Sequence, residues 1–155
     1  TSLKERLKKS AEKKVGTKKM SSKTECPMHV FTDIVRYLEQ IQSLAAAYVF
    51  GSACRGTMKQ TSDLDIALLF SNTAAIPDRL QMMVDLSRIA ERNVDVIIMN
   101  DASPMLYHEI ISTGKLIFEN NKLFRIASEV KNHKLYADYR HIHAIYMKAM
   151  RSQYG

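Results

Sequence analysis

Apolar and polar positions alternate along this chain in two rhythms. Apolar runs occupy Ala45–Phe50, Ile66–Phe70 and Val94–Met99, with a shorter, mostly apolar one at Lys115–Phe118. Short apolar runs bounded by Gly, Ser, Asn and Asp predict buried strands. The stretches between them follow helical spacing. Phe31, Ile34, Val35, Leu38 and Ile41 predict an amphipathic first helix. Asp78–Arg92 predicts a second, with Leu80, Met83, Leu86, Ile89 and Ala90 as its buried stripe. Ser103-Pro104 is a cap followed by a first-turn proline, so a third helix starts there and stops at Gly114, with Leu106, Ile110 and Ile111 inward. Asn121–Ser152 predicts a helical tail broken near Asn132–Lys134, with Leu123, Ile126, Ala127 and Val130 before the break and Tyr139, Ile142, Tyr146 and Met150 after it.

The order of the elements constrains their topology. The strand–helix–strand unit from Asp63 to Met99 is long enough for a parallel, right-handed crossover. Ser52 ends one strand where Asp63 opens the next, so that pair is expected to run antiparallel. The expected fold is α/β (α+β): a small mixed sheet flanked by helices, with a helical C-terminal tail.

The connection between the first two strands, Gly51 to Asp65, carries the candidate chemistry. Alternation along a strand points Asp63 and Asp65 the same way. Two unpaired carboxylates that close repel, and each raises the other's pKa. A hard cation such as Mg2+ removes that repulsion and is commonly held by carboxylates together with nucleotide phosphates. Gly51 and Gly56 let the backbone approach a phosphate, and Ser52 and Arg55 can donate hydrogen bonds to it. Asp95 is the one charge in the run Val94–Met99, and a buried carboxylate needs a partner. The parallel crossover places it beside Asp63 and Asp65; a structural Arg or Lys is the other partner it could have.

Gly51-Ser52, ten residues, then Asp63-x-Asp65 is the signature of the polymerase-beta-like nucleotidyltransferases. The Arg55-Gly56 pair and the small size resemble the minimal nucleotidyltransferase (MNT) group within that superfamily. So does the Leu-x-x-Glu-Ile-x-x-x-Gly pattern from Leu106, although Tyr107 stands where that group often has Arg. The resemblance covers Val30–Asn120 well and the tail loosely. It implies the polymerase-beta-like fold, a third carboxylate at Asp95, and two Mg2+ ions held by Asp63, Asp65 and Asp95. It implies ATP as substrate, with Gly51, Ser52, Arg55 and Gly56 on its phosphates and AMP moved to a hydroxyl. MNT proteins of this size are typically antitoxins that adenylylate a tyrosine of a HEPN-domain ribonuclease toxin, which makes such a toxin the expected partner. A small-molecule adenylyltransferase of the antibiotic-modifying type and a non-catalytic occluding antitoxin are the alternatives.

Composition narrows the setting. The 155 residues make one domain, expected over 28–155 behind a basic arm and linker at 1–27. The net charge of +7 is concentrated: residues 1–19 hold eight Lys/Arg and two Glu, leaving the remainder near neutral. The arm is expected to be a solvated extension ahead of a weak RNA contact, and Met20 to be the natural start. No apolar run reaches membrane-spanning length, and Cys26 and Cys54 are too few for a disulfide framework or a zinc site, so a cytoplasmic location without membrane contact is expected. His108 and Glu109 are expected to be exposed helix residues, and His133, His141 and His143 solvent-facing rather than metal ligands. Tyr136, Tyr139, Tyr146 and Tyr154 could present a protein-binding face, with core packing an equal explanation for the middle pair.

Overall fold

The computed structural model describes residues 28–55 and 62–154. The basic arm therefore lies outside the described residues. A first helix, α1 (Met28–Leu38), leads to β1 (Leu44–Phe50), a single helical turn α2 (Ser52–Arg55), and β2 (Leu64–Phe70). Then come α3 (Arg79–Ala90), β3 (Val94–Ile98), α4 (Pro104–Thr113), β4 (Lys115–Glu119) and α5 (Lys122–Tyr154).

The four strands form one sheet in the order β3-β2-β1-β4. β1 runs antiparallel to both β2 and β4, whereas β2 and β3 are parallel. The expected mixed sheet is therefore present, with each predicted strand direction. Helices α1 and α3 cover one face, packing Val30, Ile34, Leu38, Met82 and Leu86 against Ala47, Val49, Ile66, Leu68 and Val96. Helices α4 and α5 cover the other, where Tyr107, Ile110 and Phe124 meet Tyr48, Phe50, Ala67 and Leu69. Cover on both faces explains why every residue of β1 is buried and why the strands read as unbroken apolar runs. Among the described residues, no helix is long and apolar enough to cross a membrane.

Local chemistry sets the element ends. The Asp78 carboxylate accepts from the Leu80 amide at 3.0 Å and starts α3, and Ser103 Oγ accepts from the Leu106 amide at 3.2 Å to start α4. Asn100 extends the β2 ladder with its side chain, accepting from the Phe70 amide at 2.9 Å and donating to the Phe70 carbonyl at 2.8 Å.

Two helical expectations are corrected. The tail does not break near Asn132–Lys134: α5 is one helix of 33 residues. No Pro or Gly interrupts it, and Asn132 is buried because its Nδ2 donates to the Pro104 carbonyl at 3.2 Å. In α3 the buried stripe is Met82, Leu86 and Ala90, while Leu80 is exposed. That helix carries apolar residues on more than one side, so spacing alone leaves its rotational phase open.

Candidate active site

β1 ends at Phe50, and Gly51 turns the chain with φ +74°, a left-handed conformation that favours glycine. The turn opens α2, where the Cys54 amide donates to the Gly51 carbonyl at 3.2 Å and the Cys54 thiol to the Val49 carbonyl at 2.9 Å. Ser52 and the backbone of Arg55 lie in this turn, next to the end of β1. Gly56 lies outside the described residues.

Asp65 is the centre of the arrangement. In the sheet it pairs with Phe50 on one side and with Asp95 on the other. Its carboxylate lies against Gly51: a Cβ built on that glycine would sit 2.4 Å from Asp65 Oδ2. Burial pushes the Asp65 carboxyl above the usual carboxylate range, and the charges of Asp95 and Asp63 push it further. Asp63, just before β2, is exposed. Among the described residues neither Asp63 nor Asp65 has an ion-pair partner.

Asp95 does have one. Arg79, the first residue of α3, places Nη2 3.3 Å from Asp95 Oδ1 while its Nε donates to the Val96 carbonyl at 2.6 Å. Asp95 thus stands in register with Asp65 and is at the same time held by an arginine, the structural partner that the sequence left open. Sequence reasoning did not single out Arg79. Its position directly after the helix-capping Asp78 was the available signal, but nothing in the spacing distinguishes it from Arg88 or Arg92.

No group of three or more His, Cys, Asp or Glu side chains stands in metal-ligating geometry among the described residues. The charges of Asp63 and Asp95 therefore bear on Asp65 without the three forming a closed ligand set. Their chemistry suits a hard cation. All the donors are oxygens, and the desolvated member is destabilised as an anion by its two neighbours.

β3 is an outer strand of the sheet, so Asp95 can be reached from the sheet edge. Along that edge lies an open hollow of about 270 Å3 lined by Arg79, Val96, Ile98, Asp101 and Leu106, among others. His108 and Glu109 of α4 are not among the residues lining that hollow. His108 stacks on Tyr136 of α5, with ring centroids 3.8 Å apart, and is partly covered rather than exposed; Glu109 is exposed. His133, His141 and His143 face solvent, as expected, and so do Tyr139 and Tyr146, which removes the core-packing explanation for that pair.

A family model described as "Polymerase beta, Nucleotidyltransferase" matches residues 32–123. The protein adenylyltransferase MntA of Shewanella oneidensis is 29% identical over 91 residues, which cover 57% of this chain and 66% of that protein. A relative from Methanocaldococcus jannaschii, whose name marks it provisionally as a protein adenylyltransferase, is 32% identical over 66 residues, covering 43% of this chain and 71% of that protein. The chain thus spans about two thirds of the length of the curated relatives it matches. Among solved structures, the MNT antitoxin in complex with tri-AMPylated Shewanella oneidensis HEPN toxin superposes with a TM-score of 0.59 at 22% identity, covering 82% of this chain and 98% of that one. At that identity the likeness concerns the fold.

Proposed function

We propose, on the premise that this chain belongs to the polymerase beta nucleotidyltransferase family, that it moves AMP from ATP to a hydroxyl of a protein partner. The partner is a HEPN-domain ribonuclease toxin, the acceptor is a tyrosine, and the modification silences the toxin. The observation that carries the proposal is the seat of Asp65, pressed on the Gly51 backbone and in strand register with Asp95. The names of the two relatives, and the AMPylated toxin bound by the structural neighbour, support the choice of AMP and of partner.

Asp63, Asp65 and Asp95 would hold Mg2+, which when bound neutralises the triphosphate and stabilises the entering and leaving oxygens. The chain's own groups supply the rest. Gly51 and Gly56 let the backbone close on the phosphates, and Ser52 and Arg55 donate to them. The acceptor oxygen forms a bond to the α-phosphorus, the bond from that phosphorus to the bridging oxygen breaks, and pyrophosphate leaves. The hydroxyl proton passes to the Asp95 carboxylate, which the sheet edge exposes to an incoming group. Positioning and charge neutralisation provide most of the acceleration in such transfers. The apolar residues exposed along α5 favour a macromolecular acceptor over a small antibiotic.

The test is incubation with labelled ATP, Mg2+ and a HEPN-domain toxin, followed by intact-mass analysis of both. One or more AMP additions on the HEPN protein, absent with the Asp65→Asn variant, is the expected result. A partner that binds but gains no mass would refute transfer and leave occlusion as the antitoxin's action.

A further inference from the structure

Asp95 has an apolar neighbour on its own face of the sheet. Successive strand residues alternate faces, so Ile97 projects on the same side as Asp95, about 6–7 Å further along β3. The pattern repeats across the sheet: Phe50, Asp65 and Asp95 form one rung, and Tyr48, Ala67 and Ile97 the next. Ile97, Ala102 and Leu106 are partly buried against the cluster that contains Tyr48 and Ala67. All three also line the open hollow at the sheet edge. Arg79 connects the two places, because it lines the hollow and sets Nη2 3.3 Å from Asp95 Oδ1.

The position of the hollow says which reactant it serves. Across the sheet the order is Gly51, Asp65, Asp95 and then the hollow, beyond the outer strand. Two strand spacings, about 10 Å, separate the end of β1 from β3. The turn assigned above to the phosphates thus lies on one flank of the carboxylates, and the hollow on the other. A hydroxyl delivered to Asp95 from this second flank carries the rest of its side chain over Ile97. A serine or threonine would bring its own backbone up to the carboxylate and leave the apolar floor bare. A phenol spans the distance and covers that floor, and its ring gains further from the Arg79 cation at the rim. Pockets for drug-sized ligands begin at about 300 Å3, so the volume suits one ring rather than an antibiotic.

We propose, resting on the function proposed above, that Ile97 and Leu106 form the acceptor subsite and select a phenolic over an aliphatic hydroxyl. They hold the ring, and Asp95 receives the proton.

The first test needs no transfer. The full chain with labelled isoleucine methyl groups is titrated with N-acetyltyrosinamide, N-acetylphenylalaninamide, N-acetylserinamide and adenosine, and followed by NMR. The Ile97 methyl, assigned by its loss in Ile97→Val, is expected to shift with both ring amides and to stay in place with the serine amide and adenosine. The second test measures transfer to a HEPN-domain toxin. Ile97→Ser, shown folded by circular dichroism, is expected to raise KM for the toxin at least about tenfold while Mg·ATP affinity holds, and Ile97→Val to stay close to the wild type. Leu106→Ala is expected to raise that KM as well. An Ile97 methyl unmoved by the ring amides, or moved equally by the serine amide or adenosine, would overturn the proposal. So would a folded Ile97→Ser chain with wild-type KM. Ring binding at Ile97 by a chain that transfers AMP to no toxin would instead refute the function proposed above and leave the ring site standing.

Discussion

Arg79 and Asp95 are joined across the edge of the sheet, with Nη2 3.3 Å from Oδ1, while the same guanidinium donates from Nε to the Val96 carbonyl. One side chain thus neutralises a candidate metal-binding carboxylate and caps an outer strand. The ion pair is about half exposed and weak, on the order of 0.3–1 kcal/mol.

A competitor of that strength should be visible in metal binding. Calorimetry with Mn2+ or Mg2+ on Arg79→Ala is expected to show affinity raised between about 1.5-fold and fivefold, the equivalent of the lost ion pair. Its melting temperature should drop by about 2–8 °C, because the backbone bond contributes on the order of 1 kcal/mol. Unchanged or weaker ion binding would show that Arg79 does not compete for Asp95.

Asp95→Asn tests the proton acceptor. Nucleotide binding is expected to persist, while single-turnover transfer falls at least about a hundredfold, since a group that acts mainly in the transition state lowers turnover more than ground-state affinity. Transfer near the wild-type rate would leave Asp95 as the partner of Arg79 and nothing more.

Gly51→Ala should injure the site twice. The φ of +74° costs an alanine about 1–2 kcal/mol, and the new methyl falls 2.4 Å from Asp65 Oδ2, so the carboxylate must move. Displacing a positioned group by about 1 Å can cost a hundredfold in rate. The check is transfer measured at a temperature where circular dichroism shows the variant folded. A folded variant with wild-type transfer would take Gly51 out of the site.

Asp65 trades stability for its position. Burial and two neighbouring charges raise its carboxyl above the ordinary value of 3.8, so the folded state prefers the neutral form. The stability contributed by that proton is full below 3.8 and is lost as pH rises through the folded value. Asp65→Asn is therefore expected to melt above the wild type at neutral pH without metal, with the gap closing as pH falls towards 3.8. Added Mg2+ should raise the melting temperature of the wild type more than that of the variant. Equal melting of the two proteins across this range would contradict the strain assigned to Asp65.

The sheet was legible because both its faces are covered. Continuous apolar runs marked β1, β2 and β3, and the length from Asp63 to Met99 fixed the parallel crossover that sets Asp65 beside Asp95. What spacing did not reveal was side-chain reach and helix phase. Arg79 meets Asp95 through a long side chain that reaches β3 from the first turn of α3. Leu80 faces out and Met82 in because tertiary packing chose one rotation of a helix that is apolar on several sides. Asn132 looked like a break in the tail, yet its bond to Pro104 buries it within an unbroken α5.

The position of β1 at the middle of the sheet has a consequence for the protein as it is synthesised. Val49 pairs with Lys115 and Ala46 with Glu119, so one edge of this wholly buried strand waits for residues 66 and 73 positions further on. The pairing with β2 can form early, assembling the strand partners of Asp65 that lie on the Phe50 side. The other edge of Leu44–Phe50, apolar throughout, stays open until β4 has left the ribosome. A nascent chain stalled before Lys115 would offer a strand edge of the kind that recruits other chains. Rapid, uninterrupted translation of residues 51–119, or a chaperone over that edge, is what this strand order demands of the cell.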